Sequence, residues 1–205
     1  MQGDSAGKIT RKTTKKSEDA PKKKFASKKQ ENVYNEVIGV LEEAASHIEF
    51  FGEGDDHYYE IDGKRTDYSM SEFATFLRHD GKLSKKNIGE WGTPSGTLGT
   101  GADDILRDYF MGQLKDHYPN FTETQLNRFV NESIAKFKKE LERIFGKGYV
   151  VITDPEILKV AAKIEYKGIT YSVAGTMDML VIDSKGIVNV VDFKTKRANS
   201  EEEYD

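Results

Sequence analysis

The chain has 205 residues, 37% of them hydrophobic and 32% charged, with a formal net charge of −4 and no cysteine. That length allows one domain with a sizeable core plus an extended arm, and the missing thiol excludes disulfides and thiolate metal sites, in keeping with a reducing compartment. No apolar run approaches bilayer-spanning length and the Met1 end lacks a signal-peptide core, so the expectation is a cytoplasmic protein with no membrane partner.

The charge is unevenly spread. Residues 1–30 hold ten Lys/Arg against three Asp/Glu, a net +7, which leaves −11 on residues 31–205. With almost no apolar side chain beyond Phe25 and no period, residues 1–30 read as a disordered basic arm ahead of one domain over 31–205. The arm is either a solvated leader or, on a nucleic acid, a source of salt-sensitive phosphate contacts through counterion release.

From Val33 to Ile48 apolar residues recur at helical spacing and predict an amphipathic helix. "HYYEIDGKRTDYSMSEFATFL" then alternates around Asp62-Gly63, a dipeptide suited to a two-residue hairpin turn, and leads from Ser69 or Ser71 into a helix holding Phe73, Phe76 and Leu77. "WGTPSGTLGTGADD" is rich in Gly, Thr and Pro and reads as a loop, with Asp103 and Asp104 at the start of a helix that runs to about His117. After Pro119 and Asn120, Thr122 caps a helix whose Leu126, Phe129, Val130, Ile134, Phe137, Leu141 and Ile144 form one stripe, closed by Gly146 and Gly148.

Beyond Gly148 the period becomes strand-like. "GYVVITD", "LKVAAKIEY", "ITYSVAGTMDMLVID" and "IVNVVDFKTK" predict four strands, with Lys167-Gly168 and Ser184-Lys185-Gly186 as turns. Helices followed by such a meander give an α/β or α+β core with a sheet at its centre.

Two of those strands carry charges among apolar, β-branched neighbours. In a hairpin built on Ser184-Lys185-Gly186, Asp178 and Asp192 come to adjacent positions, and Asp192 and Lys194, two apart, project from one face. Two carboxylates there would repel and raise each other's pKa, a penalty that a hard cation removes. Mg²⁺ or Mn²⁺ takes oxygen ligands and leaves room for water and a phosphate oxygen, and a neighbouring lysine stabilises charge on a phosphate in its transition state. The plainer reading of the same residues is a buried ion pair or exposed strand ends.

"GTMD" followed after a turn by "VVDFKTK" resembles motifs II and III of the RecB-like branch of the PD-(D/E)XK nuclease superfamily, written G-x-x-D and (D/E)-x-K. "HYYEIDGKRTDYSMSEF" is similar to the His/Tyr-rich hairpin ahead of the nuclease core in phage-type RecB-like exonucleases, and "LGTGADDILRDYF" to their G-T-x-x-H-x-x-x-E-x-Y helix start. The likeness covers roughly residues 50–197. It implies a restriction-endonuclease-like core, a central mixed sheet flanked by helices, and a Mg²⁺- or Mn²⁺-dependent deoxyribonuclease, an exonuclease of phage type working in the host cytoplasm with DNA and with phage or host replication and recombination proteins as partners.

Carried over by position, the resemblance makes Asp178 and Asp192 metal ligands, with the Phe193 carbonyl a further one, and Lys194 the catalytic lysine. Lys196 and Arg197 form a cationic cluster beside them for DNA. Asp103 stands where the family has a metal-binding His, as an oxygen ligand or as a helix N-cap. No Gln follows Lys194, so the family's closing Q-x-x-x-Y helix is expected to be missing. The competing expectation is a non-catalytic DNA-binding or assembly protein that keeps the nuclease fold. Glu156, beside Pro155, reads as a solvated acid, and His57 and His79 as surface residues. Phe50, Phe51, Tyr58, Tyr59 and Trp91 read mostly as core, with base stacking as the other role.

Overall fold

The structure, a computed structural model, describes residues 24–52, 57–81 and 94–192, the side chains of 94–100 excepted. Its helices and small sheets make a mixed α+β protein. The described residues divide into two units: 36–52, 57–81 and 155–177 in one, and 24–35, 94–154 and 178–192 in the other. None of the described helices is long and apolar enough to cross a membrane.

In the first unit, the later turns of α1 (Lys28–Ser46) lead into β1 (Ile48–Phe51), which pairs antiparallel with β2 (Tyr58–Ile61). β2 turns on Asp62 and Gly63 into β3 (Lys64–Arg65), with φ of 50° and 73° at the two turn residues, the left-handed pair that an Asp-Gly hairpin uses. β1 corrects the expectation that the helix extends to Ile48. Ile48 is buried opposite Ile61, and that pairing outweighs its place in the helical stripe. The aromatic set divides by strand alternation: Tyr59 is buried with Ile48, while Phe51 stacks on Tyr58 on the other face under the Arg65 guanidinium.

A second sheet in this unit orders β4 (Tyr68–Ser69), β7 (Ile169–Thr176) and β6 (Lys159–Tyr166). β4 runs parallel to β7, and β6–β7 is an antiparallel hairpin turning on Lys167 and Gly168. Ser69 then caps α2 (Met70–Arg78) in a capping box: its hydroxyl accepts from the Glu72 N–H, and the Glu72 carboxylate accepts from the Ser69 N–H. Phe73 and Phe76 of α2 pack with Tyr68, Tyr171 and Val173.

The second unit contains the start of α1, α3 (Pro94–Met111), α4 (Glu123–Arg128), a π-helical turn (Phe129–Ile134) and α5 (Ala135–Phe145), with a sheet ordered β5 (Val150–Ile152), β8 (Met179–Ile182), β9 (Val188–Val191). Its core joins Ile105 and Leu106 of α3, Leu126, Ile134 and Leu141 of the α4–α5 run, and Met179 and Val181 of β8.

Several expectations are corrected in this unit. The expected arm over residues 1–30 overlaps α1: Lys28–Gln30 are helical and Gln30 is fully buried, while 1–23 lie outside the described residues. Gln30 Nε2 donates to the carbonyls of Gly148 (2.8 Å), Ile182 (3.2 Å) and Asp183 (2.9 Å), and its Oε1 accepts from the Ala26 N–H (2.7 Å). α3 begins at Pro94 instead of Asp103, because proline suits a first turn and Gly101 lets the helix pass close to Phe121, where a Cβ would stand 2.8 Å from the ring. It ends at Met111, not His117, with Gly112 left-handed at φ 69°. The expected long stripe is interrupted by the π turn, and Ile144 at its far end is 55% exposed.

The last correction concerns the sheet. The single strand expected over 169–183 is two strands, β7 and β8, in different sheets and different units, with the break at Met177-Asp178. In place of one central sheet the described strands form three three-stranded sheets. The Met177 N–H donates to the Leu158 carbonyl (3.0 Å) and so leaves the β6–β7 ladder just before Asp178.

Candidate functional site

β8 and β9 form a hairpin whose register runs from Ile182↔Val188 to Met179↔Val191. The turn is closed by the Asp183 side chain, which accepts from the backbone N–H groups of Lys185 (2.8 Å) and Ile187 (2.7 Å), and by Gly186 at φ 82°. The ladder ends at Met179↔Val191, with Asp178 just before β8 and Asp192 just after β9 at the open end. All four residues of β8 are buried, whereas Val188 and Val190 of β9 are exposed.

The approach from the other side is made by α3. Arg107 Nη2 lies 3.2 Å from Asp178 Oδ1, and its Nη1 lies 3.7 Å from Asp104 Oδ1 one turn earlier on the same helix. The Arg107 and Asp178 side chains are 23% and 19% exposed, and Asp192 is exposed. Arg107 Nε is withdrawn from solvent with no hydrogen-bond partner among the described residues. The Arg107 carbonyl accepts from the Thr153 hydroxyl at 3.4 Å, which ties this turn of α3 to the end of β5.

The far end of α3 is locked by a second polar group. Asp108 Oδ2 accepts from the Tyr118 hydroxyl and from Lys115 Nζ, both at 2.8 Å, while the Lys115 N–H donates to the same tyrosine oxygen. Burial pushes the Tyr118 phenol up to about 12, so it stays a donor at any physiological pH.

The expected site residues distribute as follows. Asp178 immediately precedes β8 and Asp192 immediately follows β9, so both lie next to the last pair of the hairpin, Met179↔Val191. Asp103 lies inside α3, one turn before Arg107, so it is not the N-cap of that helix. Among the described residues no three His, Asp or Glu side chains gather into one group, so Asp103 is not collected with the two strand carboxylates. Phe193, Lys194, Lys196 and Arg197 lie outside the described residues, as does Trp91. Glu156 is half exposed and paired with Lys159 Nζ at 2.8 Å. His79 is exposed at the end of α2, and the His57 ring packs against Phe50.

Two smaller residues of "GTMD" have structural duties. A Cβ on Gly175 would stand 2.8 Å from Met70 Cβ, so only glycine lets the first turn of α2 sit against β7. Thr176 Oγ1 shares a 3.2 Å hydrogen bond with the Tyr59 hydroxyl.

Arg107 is the site residue that the sequence reading passed over.

The donor set at the hairpin mouth is chemically consistent with a hard cation. Its side-chain donors are the carboxylate oxygens of Asp178 and Asp192, and the chain has no thiolate to attract a softer ion. None of the family models, curated proteins or solved structures compared with the chain matches it.

Proposed function

We propose that this chain is a Mg²⁺- or Mn²⁺-dependent DNA nuclease of the RecB-like, PD-(D/E)XK kind, with a restriction-endonuclease-like core built around β5, β8 and β9. The observation that supports the reading is the β8–β9 hairpin, whose last pair, Met179↔Val191, leaves Asp178 and Asp192 next to its open end, with β8 itself buried. Asp178 and Asp192 would hold the ion, which when bound supplies Lewis-acid polarisation of a phosphate oxygen and a more acidic water. Lys194, two residues past Asp192, is assigned to the charge that develops on the phosphate, and Lys196 and Arg197 to the DNA backbone.

The direct test is cleavage of linear and circular, single- and double-stranded DNA with Mg²⁺, Mn²⁺ or EDTA. EDTA is expected to abolish cleavage, and Asp192→Ala to lower it at least a hundredfold, on the order seen when one electrostatic catalytic contact is lost. Cleavage indifferent to both would sink the mechanism.

One observation favours a second reading, a DNA-binding or assembly protein that keeps the fold without the chemistry: the Arg107 guanidinium already sits on Asp178. That reading expects salt-dependent DNA binding, weakened by deleting residues 1–23, which spares the Gln30 anchor, and no cleavage in any metal.

A further inference from the structure

The acid pair at the mouth of the β8–β9 hairpin has a protein cation already beside it, and the geometry of that contact is loose. An arginine that clamps a carboxylate for good does so with two parallel N–H···O bonds. Arg107 instead gives Asp178 one contact, Nη2 to Oδ1 at 3.2 Å, and its other terminal nitrogen reaches toward Asp104 at 3.7 Å. Its Nε makes no hydrogen bond to any described residue. To leave Asp178 the guanidinium has to move. Asp104, half exposed and one helical turn back, gives it a second carboxylate to move to.

We propose that Arg107 is the built-in counter-ion of this acid pair. It holds Asp178 while no divalent cation is bound and swings toward Asp104 when one binds, so it sets the cation concentration at which the site fills. The inference rests on the nuclease reading of Asp178 and Asp192 and adds a positioning residue that governs metal loading. A divalent ion and a guanidinium on the same carboxylate repel through a partly buried medium, so removing the guanidinium should favour the ion. The same removal takes a half-buried charge pair from the cation-free protein, which should then be less stable.

Those two effects have opposite signs, and this separates the proposal from a merely structural role. The experiment is Mn²⁺ titration of the full chain by calorimetry and electron paramagnetic resonance, with thermal unfolding in EDTA. Arg107→Gln is expected to bind Mn²⁺ on the order of tenfold more tightly than wild type while melting at a lower temperature in EDTA. Arg107→Lys, which keeps the charge, should stay within about threefold of wild type. Asp104→Asn removes the alternative seat and should weaken Mn²⁺ binding several-fold without altering either strand carboxylate; it also serves if Arg107→Gln does not fold.

An Arg107→Gln protein that binds Mn²⁺ no more tightly than wild type, or an Asp104→Asn protein that binds it equally well, overturns the proposal and leaves the nuclease reading standing. If wild type binds Mn²⁺ no better than Asp178→Asn does, the reading of the acid pair itself fails and the proposal falls with it.

Discussion

Two antiparallel hairpins of this chain each carry a carboxylate paired with a cation at one end, and they carry it in opposite ways. In β6–β7 the pair is at the closed end: Lys167 of the turn meets Asp80, just past α2, at 2.7 Å, with the two side chains 57% and 81% exposed. In β8–β9 the pair is at the open end, where Arg107 meets Asp178 with both side chains mostly covered. Solvent screens the first pair and leaves it little to contribute, whereas the second sits where charge is costly to leave unmatched. A charge pair at a well-screened turn is ordinary surface. A charge pair held against a buried strand has been built in, and that contrast directs attention to Asp178.

The largest effect is expected from loosening the β8–β9 hairpin at its closed end. Gln30 donates to the Ile182 and Asp183 carbonyls there, as well as to Gly148, and is itself fully buried. Gln30→Ala removes a hydrogen bond from three carbonyls, of which Asp183 keeps its bond from the Gly186 N–H, and takes the acceptor from the Ala26 N–H, and the expected loss is about 3 kcal/mol in denaturant unfolding. A loss below about 1 kcal/mol would mean that the β8–β9 hairpin is no more firmly held than its neighbour.

Next in size is Gly175→Ala on the β6–β7 hairpin. The new methyl would meet Met70 Cβ at 2.8 Å with Met70 N 3.7 Å away, and backbone at the first turn of a helix cannot give as a flexible side-chain tip can. Overpacking of this kind should cost about 1–3 kcal/mol, read as a lower denaturation midpoint with unchanged slope. The glycine of "GTMD" would then be explained by packing. A variant as stable as wild type would return it to the candidates for a direct role at the site.

How much of this was legible in the sequence depended on how local each signal was. Asp62-Gly63, Lys167-Gly168 and the Thr122 cap act within a few residues and formed where the sequence reading placed them, and of the two serines it offered for the cap of α2 the structure uses Ser69. The β8–β9 hairpin was also legible, because a short turn fixes the register that follows it. What escaped was set at long range. β1 exists because Ile48 finds Ile61, and α3 reaches back to Pro94 although its glycines suggested a loop. The apolar run over 169–183 gave no sign of its break at Met177-Asp178, since strands of two sheets have the same alternation as one. Gln30 looked like the tail of a lysine-rich arm, and only contacts more than a hundred residues away reveal it as an anchor. Arg107 was hidden for a different reason: attention to carboxylates passes over the cation that faces them.

The smallest effect expected is at the exposed pair, and its pH dependence has a definite sign. Hydrogen bonds from Lys167 and then Tyr166 hold the Asp80 carboxyl below its ordinary value, and the bond to Asp80 holds the Lys167 ammonium above its own. A lowered carboxyl favours the fold at pH values above its unfolded pKa and loses that advantage as pH falls through the folded value. A raised ammonium favours it below the ordinary lysine pKa and loses it as pH rises through the raised one. Whatever the pair contributes is therefore level between about pH 5 and 9 and disappears only toward the extremes. Both groups are open to solvent, so Asp80→Asn should leave the neutral-pH denaturation midpoint within experimental error of wild type, with the two pH profiles converging in acid. A clear loss at pH 7, comparable to that of Gln30→Ala, would show that this turn is held as firmly as the buried hairpin and would remove the asymmetry that singles out Asp178.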